Sequence, residues 1–401
     1  MSEIKNAAGD VEDPEAGGGL FDLPERFVLI GLIALAGVTF LAWLFVSPER
    51  TWLNLLLNSY YLLGLSLIGT FFVALQYLAH ARWPTLLRRV PEAMGQCLPL
   101  VAGLMLLVCF GVGHLFHWSH ADAVVNDAIL SAKSGYLNTT SVVGRLVVFM
   151  ILWIGVTGAI VGRSRTQDED GRLEHTKSNV RLSAFFMVLF AATFSMSSID
   201  WIMSLEPHWY STLFPWYVFS SVFVAGLAVI TGLAILLHRR GHLPGLNRHH
   251  LHDLGKYMLA FSFFWGYLWY SQYMLIWYSN IPEEITRFTL RENPGWNGLF
   301  LTNLIVNFII PFFLLLPAAV KKVPSYLLGM CALIVVGHWL DLYLMVFPSH
   351  HAAGPKLGWL ELITAVGCLA AFLLMFDRQF RSARPYPIRD PFLADSIHHH
   401  L

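Results

Sequence analysis

The sequence predicts an all-α polytopic membrane protein, and three observations carry that prediction. Hydrophobic residues make up 56% of the 401-residue chain and charged residues only 13%, with a mean hydropathy of +0.57. Soluble domains carry about a quarter charged residues. The apolar residues are gathered into repeated runs of about 20, the length at which a helix crosses a ~30 Å hydrocarbon layer. Short connections separate the runs, so no independent soluble domain fits between them.

Taken in order, the apolar segments lie at 27–46, 52–79, 93–115, 140–162, 181–200, 212–237, 256–279, 297–320, 324–346 and 357–376, which predicts ten transmembrane helices. Residues 1–26 form an acidic arm rich in Gly and Pro, without the basic start of a secretory signal. Residues 377–401 form a tail, which leaves 27–376 as the membrane domain. Trp52, Trp118, Trp209 and Trp359 fall at segment ends, where amphipathic rings anchor helices at the interface. Cys97, Cys109, Cys331 and Cys368 lie inside apolar runs without metal or redox spacing, as small hydrophobes do. Net charge is zero, so composition gives no hint of nucleic acid as a partner.

Lys and Arg collect at the termini and in the connections after even-numbered segments, for example Arg88, Arg89, Arg163, Arg165, Arg239, Arg240, Lys321 and Lys322. The opposite connections hold Arg50, Lys133, Arg287, Arg291 and Lys356. The positive-inside rule therefore predicts both termini in the cytoplasm. A weak internal repeat also appears. The fifth segment closes with DWIMSLEP (Asp200 to Pro207) and the ninth with DLYLMVFP (Asp341 to Pro348). Segments four apart correspond if 2–5 and 6–9 form two similar four-helix bundles flanked by segments 1 and 10. Such repeats are common where a membrane protein handles a substrate at the repeat interface.

Polar side chains within a membrane are costly and usually face the protein interior. Arg145 lies about a turn inside the outer end of the fourth segment, with Ser141 at i−4. Asp200 closes the fifth, with Thr193 and Ser197 on its face. His338 and Asp341 share a face of the ninth at i, i+3 spacing, and Asn303 and Asn307 share one on the eighth. His114 ends the third segment, while Gln272 and Tyr273 occupy the outer half of the seventh. Glu206 and His208 fall in the connection beyond Asp200. Almost all of these groups gather in the outer half; Gln76 and His80 are the clearest inner cases. Asp, His, Arg and Tyr at one depth suit proton-coupled chemistry, because His titrates near neutral pH and a carboxylate near a cation stays a usable acceptor.

Each residue also has a plainer reading. Asp200 and Asp341 can cap helix ends or pair with Arg145, and Asn303 and Asn307 can bond neighbouring helices. RRGHLPGLNRHHLHD, at 239–253, has the composition of a metal tract, but its basic setting favours lipid-headgroup or partner contact. His114 and His338 are the credible intramembrane pair for an axially ligated haem, and little else in the sequence supports one. No metal site is expected.

DWIMSLEPHWYSTLFPWY, residues 200–217, resembles the motif of the ActF-type membrane subunit of bacterial alternative complex III, within the NrfD-like (polysulfide-reductase membrane-subunit) family. The ten segments, their 1+4+4+1 arrangement and the acidic N-terminal arm extend the resemblance over the chain. It implies a multi-pass subunit of the bacterial inner membrane with no cofactor of its own. Its neighbours would be a paralogous NrfD-like subunit, an iron–sulfur subunit and c-type haem subunits, besides lipids. The complex would oxidise quinol, menaquinol or ubiquinol, and this subunit would bind quinone or move protons. Only Asp200, Glu206 and His208 carry over with the motif. On depth alone, His338 and Asp341 are added as proton acceptors or relays, Arg145 as their charge partner and His114 as an outer relay. The competing readings are a secondary transporter and a structural anchor for redox subunits.

Overall fold

A computed structural model describes residues 17–400; most of the N-terminal arm lies outside the described residues. Ten long helices run between two ends: α1 (Leu23–Val46), α2 (Pro48–Leu78), α3 (Arg89–Leu115), α4 (Thr139–Asp170), α5 (Leu173–Trp201), α6 (Phe214–Arg239), α7 (Arg248–Ser279), α8 (Pro294–Leu315), α9 (Pro324–Val346) and α10 (Trp359–Arg381). The end with Asp200 and Asp341 is termed outer, and the end with both termini inner. The chain is an all-α, multi-pass membrane protein.

Nine of these helices, among the described residues, are long and apolar enough to cross a membrane. The expected tenth span, 256–279, forms as α7. At 32 residues it reaches about 48 Å at 1.5 Å per residue, but its Trp, Tyr, Ser and Gln residues lower its hydropathy. Two helices are irregular, and proline explains both. Residues 96–97 interrupt α3 just before Pro99, and α8 widens into a π turn over Ile305–Ile309 just before Pro311. A proline inside a helix has no N–H to donate and crowds the carbonyl four residues back.

The packing is that of two four-helix bundles. In the first, α2 contacts α3 and α5, and α4 contacts α3 and α5; in the second, α6 contacts α7 and α9, and α8 contacts α7 and α9. Each helix of 2–5 thus corresponds to one of 6–9, as the shared Asp/Pro spacing predicts. The bundles join through α2 and α6, the two most enclosed helices. Their crossing is reciprocal. A β-carbon on Gly64 would lie 2.6 Å from Val222 Cγ1, and one on Gly226 would lie 2.3 Å from Ile68 Cγ2. Each helix therefore offers one glycine and, four residues away, one branched side chain that fills the other's glycine.

Helix α1 packs on α10 at the periphery. The chain before α1 is tied down by Asp377 of α10, which accepts from the Leu20 N–H (2.6 Å) and Arg26 Nη2 (2.6 Å). The tail after α10 crosses the inner ends of both bundles. Asp390 pairs with buried Arg88 at the start of α3, Ser396 donates to the Trp83 carbonyl, and His399 meets Asp253 of α7 at 2.7 Å. The tail histidine is thus docked, where its short sequence context suggests a mobile end.

Replacing Gly226 with leucine drives a side chain into Ile68 with no room to retreat. The variant is expected to lose about 1–3 kcal/mol, the usual cost of overpacking, or to fail to assemble. Thermal unfolding in detergent, with an exposed α1 substitution such as Val38→Leu as control, measures the difference.

Candidate functional site

Asp341 is the centre of the outer half of the second bundle. It is 1% exposed, and every helix of that bundle serves it. Asn303 of α8 donates to Oδ1 at 2.8 Å, Trp265 of α7 donates through Nε1 to Oδ2 at 2.9 Å, and the Tyr217 hydroxyl of α6 makes a short bond to Oδ1. One turn inward on α9, His338 Nδ1 lies 3.1 Å from Ser221 Oγ, and the edge of its ring faces Trp265. His338 Nε2 is buried and has no hydrogen-bond partner among the described residues. The π turn of α8 aims Asn307, whose amide donates to Asn303 Oδ1 (2.7 Å) and to the Gly337 carbonyl (2.9 Å). Extra turns of this kind are frequent at functional sites. The bonding partners of Asp341 are all neutral, so no ion pair fixes its charge.

Asp200 has the corresponding place in the first bundle but a different partner. Arg145 of α4, the helix corresponding to α8, grips it with Nε to Oδ2 at 2.7 Å and Nη2 to Oδ1 at 2.9 Å. A two-point guanidinium–carboxylate pair holds both charges. The Arg145 guanidinium also lies 4.0 Å from the Tyr136 ring centroid. Burial and the nearby Asp200 push the Tyr136 phenol up to about 12, so it stays a neutral donor. Beside this pair is a groove of about 360 Å³ walled by Lys133, Tyr136, Met203, Trp209 and Tyr210.

Inward from Asp200, the first bundle contains a column of buried polar groups. Tyr60 and Ser198 meet at 3.0 Å, Trp153 donates to Thr193 at 2.9 Å, Thr70 and Thr157 meet at 2.9 Å, and Asn179 donates to Tyr77 at 3.2 Å. It ends at the inner cluster of Arg89 with Glu92 and Asp168. Along it, Ser59, Ser66, Gln76 Nε2, Ser183 and Ser197 have buried polar atoms with no partner among the described residues. Leaving such atoms unsatisfied costs about 1–3 kcal/mol each, and bound water removes that cost.

A cavity of about 30 Å³ opens outward from Asp341, bounded by Tyr217, Gln272, Arg287, Arg291 and Asn303. The outer helix Pro282–Glu292 places both arginines there, each at most 5% exposed. They converge on Glu206: Arg291 Nη2 donates to Oε1 at 2.8 Å and Arg287 Nη1 lies 3.1 Å from the same atom. Arg287 also lies over the Trp209 ring at 4.4 Å. Burial alone would raise the Glu206 pKa, but Arg287 and Arg291 outweigh it and hold the carboxyl below its usual range. Glu206 is thus an ion-paired cap, not the solvated loop residue its place in the connection suggests.

The structure brings Asp341 and His338 together, and separately Asp200 and Arg145. His208 is half-exposed and bonds Asp127 at 2.5 Å, apart from both sets. His114 is exposed at the outer end of α3 and makes no bond with the other candidates among the described residues. As it lies in the first bundle and His338 is enclosed in the second, the two do not face one another. Among the described residues, no group of three His, Cys, Asp or Glu is arranged to hold a metal. Sequence reasoning passed over Tyr217, Trp265, Arg287 and Arg291. The arginines carried a signal: two of them, four residues apart, on the side where basic residues are scarce.

Two predictions follow from these environments. Asp200→Asn strands the Arg145 charge, and removing one partner of a buried pair costs about 3–5 kcal/mol; the 17% exposure of Arg145 places the effect near the lower bound. Asp341→Asn strands no cation and is expected to cost less, about 1–3 kcal/mol for one mismatched hydrogen bond. Adding Arg145→Gln to Asp200→Asn is expected to restore part of the loss, which a double-mutant cycle of unfolding free energies measures. For Glu206, the folded pKa lies below the unfolded value of about 4.5. Its stabilisation is therefore complete above that value and is lost as pH falls through the folded one. A Glu206→Gln chain is expected to lose this acid-side decline in a melting profile from pH 7 to 3.

Compared with known protein families and with curated proteins, the chain matches none.

Proposed function

We propose that this chain is a membrane subunit of a quinol:electron acceptor (cytochrome c) oxidoreductase complex, and that its own task is to move protons. The observation that carries the reading is the buried Asp341, bonded only by neutral donors, with a cavity of about 30 Å³ between it and the Glu206 cap. A site that exchanges a proton must tolerate both charge states, and neutral donors do so where a guanidinium would not. Beside Asp341, size favours the proton-moving task of the two that the resemblance implies. A cavity of this volume holds one or two waters, while small-molecule pockets run to about 300 Å³ and more. Water and proton fit beside Asp341; a quinone ring does not.

In this reading Asp341 accepts a proton, Tyr217 and Asn303 orient its carboxylate, and His338 supplies the next acceptor inward through its free Nε2. Asp200 is held ionised by Arg145 and stabilises charge in the other bundle. The buried polar column below it, with water bridging its unpaired groups, would offer a path from the inner cluster. Electrons would pass through the iron–sulfur and c-type haem partners, beside the paralogous membrane subunit. A second reading concerns quinone itself. The groove of about 360 Å³ beside Tyr136 has the volume and aromatic walls for a quinol head group, with Tyr136 among the hydroxyls that line it.

The test uses the intact complex in liposomes. Asp341→Asn is expected to abolish proton release beyond that of the quinol chemistry, with electron transfer slowed at most severalfold. Tyr136→Phe is expected to raise the quinol KM. A complex purified without this chain that retained full quinol oxidation and all proton release would falsify the assignment. Solute uptake by the chain alone in liposomes would point to a transporter instead.

A further inference from the structure

The outer cap carries more positive charge than its acid can balance. Arg287 and Arg291, both buried, share the single carboxylate of Glu206. Arg291 uses all three of its nitrogens, on the Leu344 carbonyl (3.0 Å), the Arg287 carbonyl (2.7 Å) and Glu206 (2.8 Å). Arg287 does not. Its Nη1 is ion-paired with Glu206 at 3.1 Å but lacks hydrogen-bond alignment, so it has no aligned acceptor among the described residues. Gln272 of α7, 6% exposed, likewise leaves Nε2 unpartnered. Both residues line the cavity of about 30 Å³, with Tyr217, Arg291, Asn303 and Asp341 also around it and Phe288 and Phe300 in its wall.

A void lined by idle donors and surplus positive charge has two requirements, and one species meets both. Water would accept the idle hydrogen bonds but leave the charge in place, and an unbalanced buried charge is costly. A small anion would accept the same bonds and cancel the charge. The volume admits a single monatomic ion and excludes phosphate, sulfate and carboxylic acids larger than formate. We infer that this cavity is a binding site for a monovalent anion of halide size, held by Arg287 and Gln272. Asp341 lines the same cavity but is bonded only by Tyr217, Trp265 and Asn303, so the halide and not Asp341 takes the open position on the Arg287 guanidinium. The inference rests on the cap and its donors and is independent of the proposed respiratory role.

The test uses the purified full chain with chloride replaced by bromide. Diffraction at the bromine edge is expected to show an anomalous peak between Arg287 and Gln272. In thermal unfolding at fixed ionic strength, chloride is expected to raise Tm to a plateau relative to gluconate. Gln272→Leu is expected to weaken that shift, and Gln272→Glu, which builds a carboxylate into the cavity, to remove it while keeping the melting point at or above that of the chloride-free parent. Should either substitution prevent folding, the bromide map of the unmutated chain decides. Density for water alone in the cavity, together with identical chloride and gluconate curves, overturns the inference.

Discussion

Everything else in the molecule is hung on the crossing of α2 and α6. Apolar side chains gain nothing by meeting each other rather than lipid, so membrane helices associate through close packing and hydrogen bonds. Here two glycines let two branched side chains sink in, Val222 against Gly64 and Ile68 against Gly226. That contact fixes the depth of one helix against the other. Because α2 and α6 each contact the last helix of their own bundle, it also fixes the depth of Asp200 and Asp341. Tyr217 and Ser221 reach Asp341 and His338 from α6 only because α6 is held at that height.

The two bundles place one carboxylate twice and treat it differently. On α4 the donor is Arg145, and on α8 it is Asn303. That single difference in charge separates a fixed ion pair from a carboxylate bonded only by neutral donors. The rest of the second bundle is consistent with this division: its outer acid, Glu206, is the one neutralised, by arginines outside the membrane-spanning helices.

Fold class and helix order were legible because hydrophobic length and connection charge are local properties of sequence. The 1+4+4+1 plan was legible from one Asp/Pro spacing, and depth alone singled out Asp200, Asp341, His338 and Arg145. The contacts of Asp341 were not. Trp265 and Tyr217 look like ordinary aromatic residues in their segments, and which ring points inward depends on helix rotation, which an apolar run with no polar face does not encode. Glu206 was misjudged for a related reason. A loop residue is solvated by default, and its two arginines approach from a connection about eighty residues later in the chain. The shortfall of α7 in hydropathy follows from the same aromatics: the scale that marks a span counts Trp and Tyr as poor membrane residues even when they face a neighbouring helix.

The tail beyond α10 has a mechanical consequence. It is bonded to α3 through Asp390 and Arg88, and to α7 through His399 and Asp253, so it bridges the two bundles where they would have to part. α2 and α6 interlock at the middle, and this strap ties the halves across one end. Alternating access by rocking one repeat against the other would require breaking both ties together. Under the proposed role, protons would pass by movements of side chains and water within a frame tied at two levels.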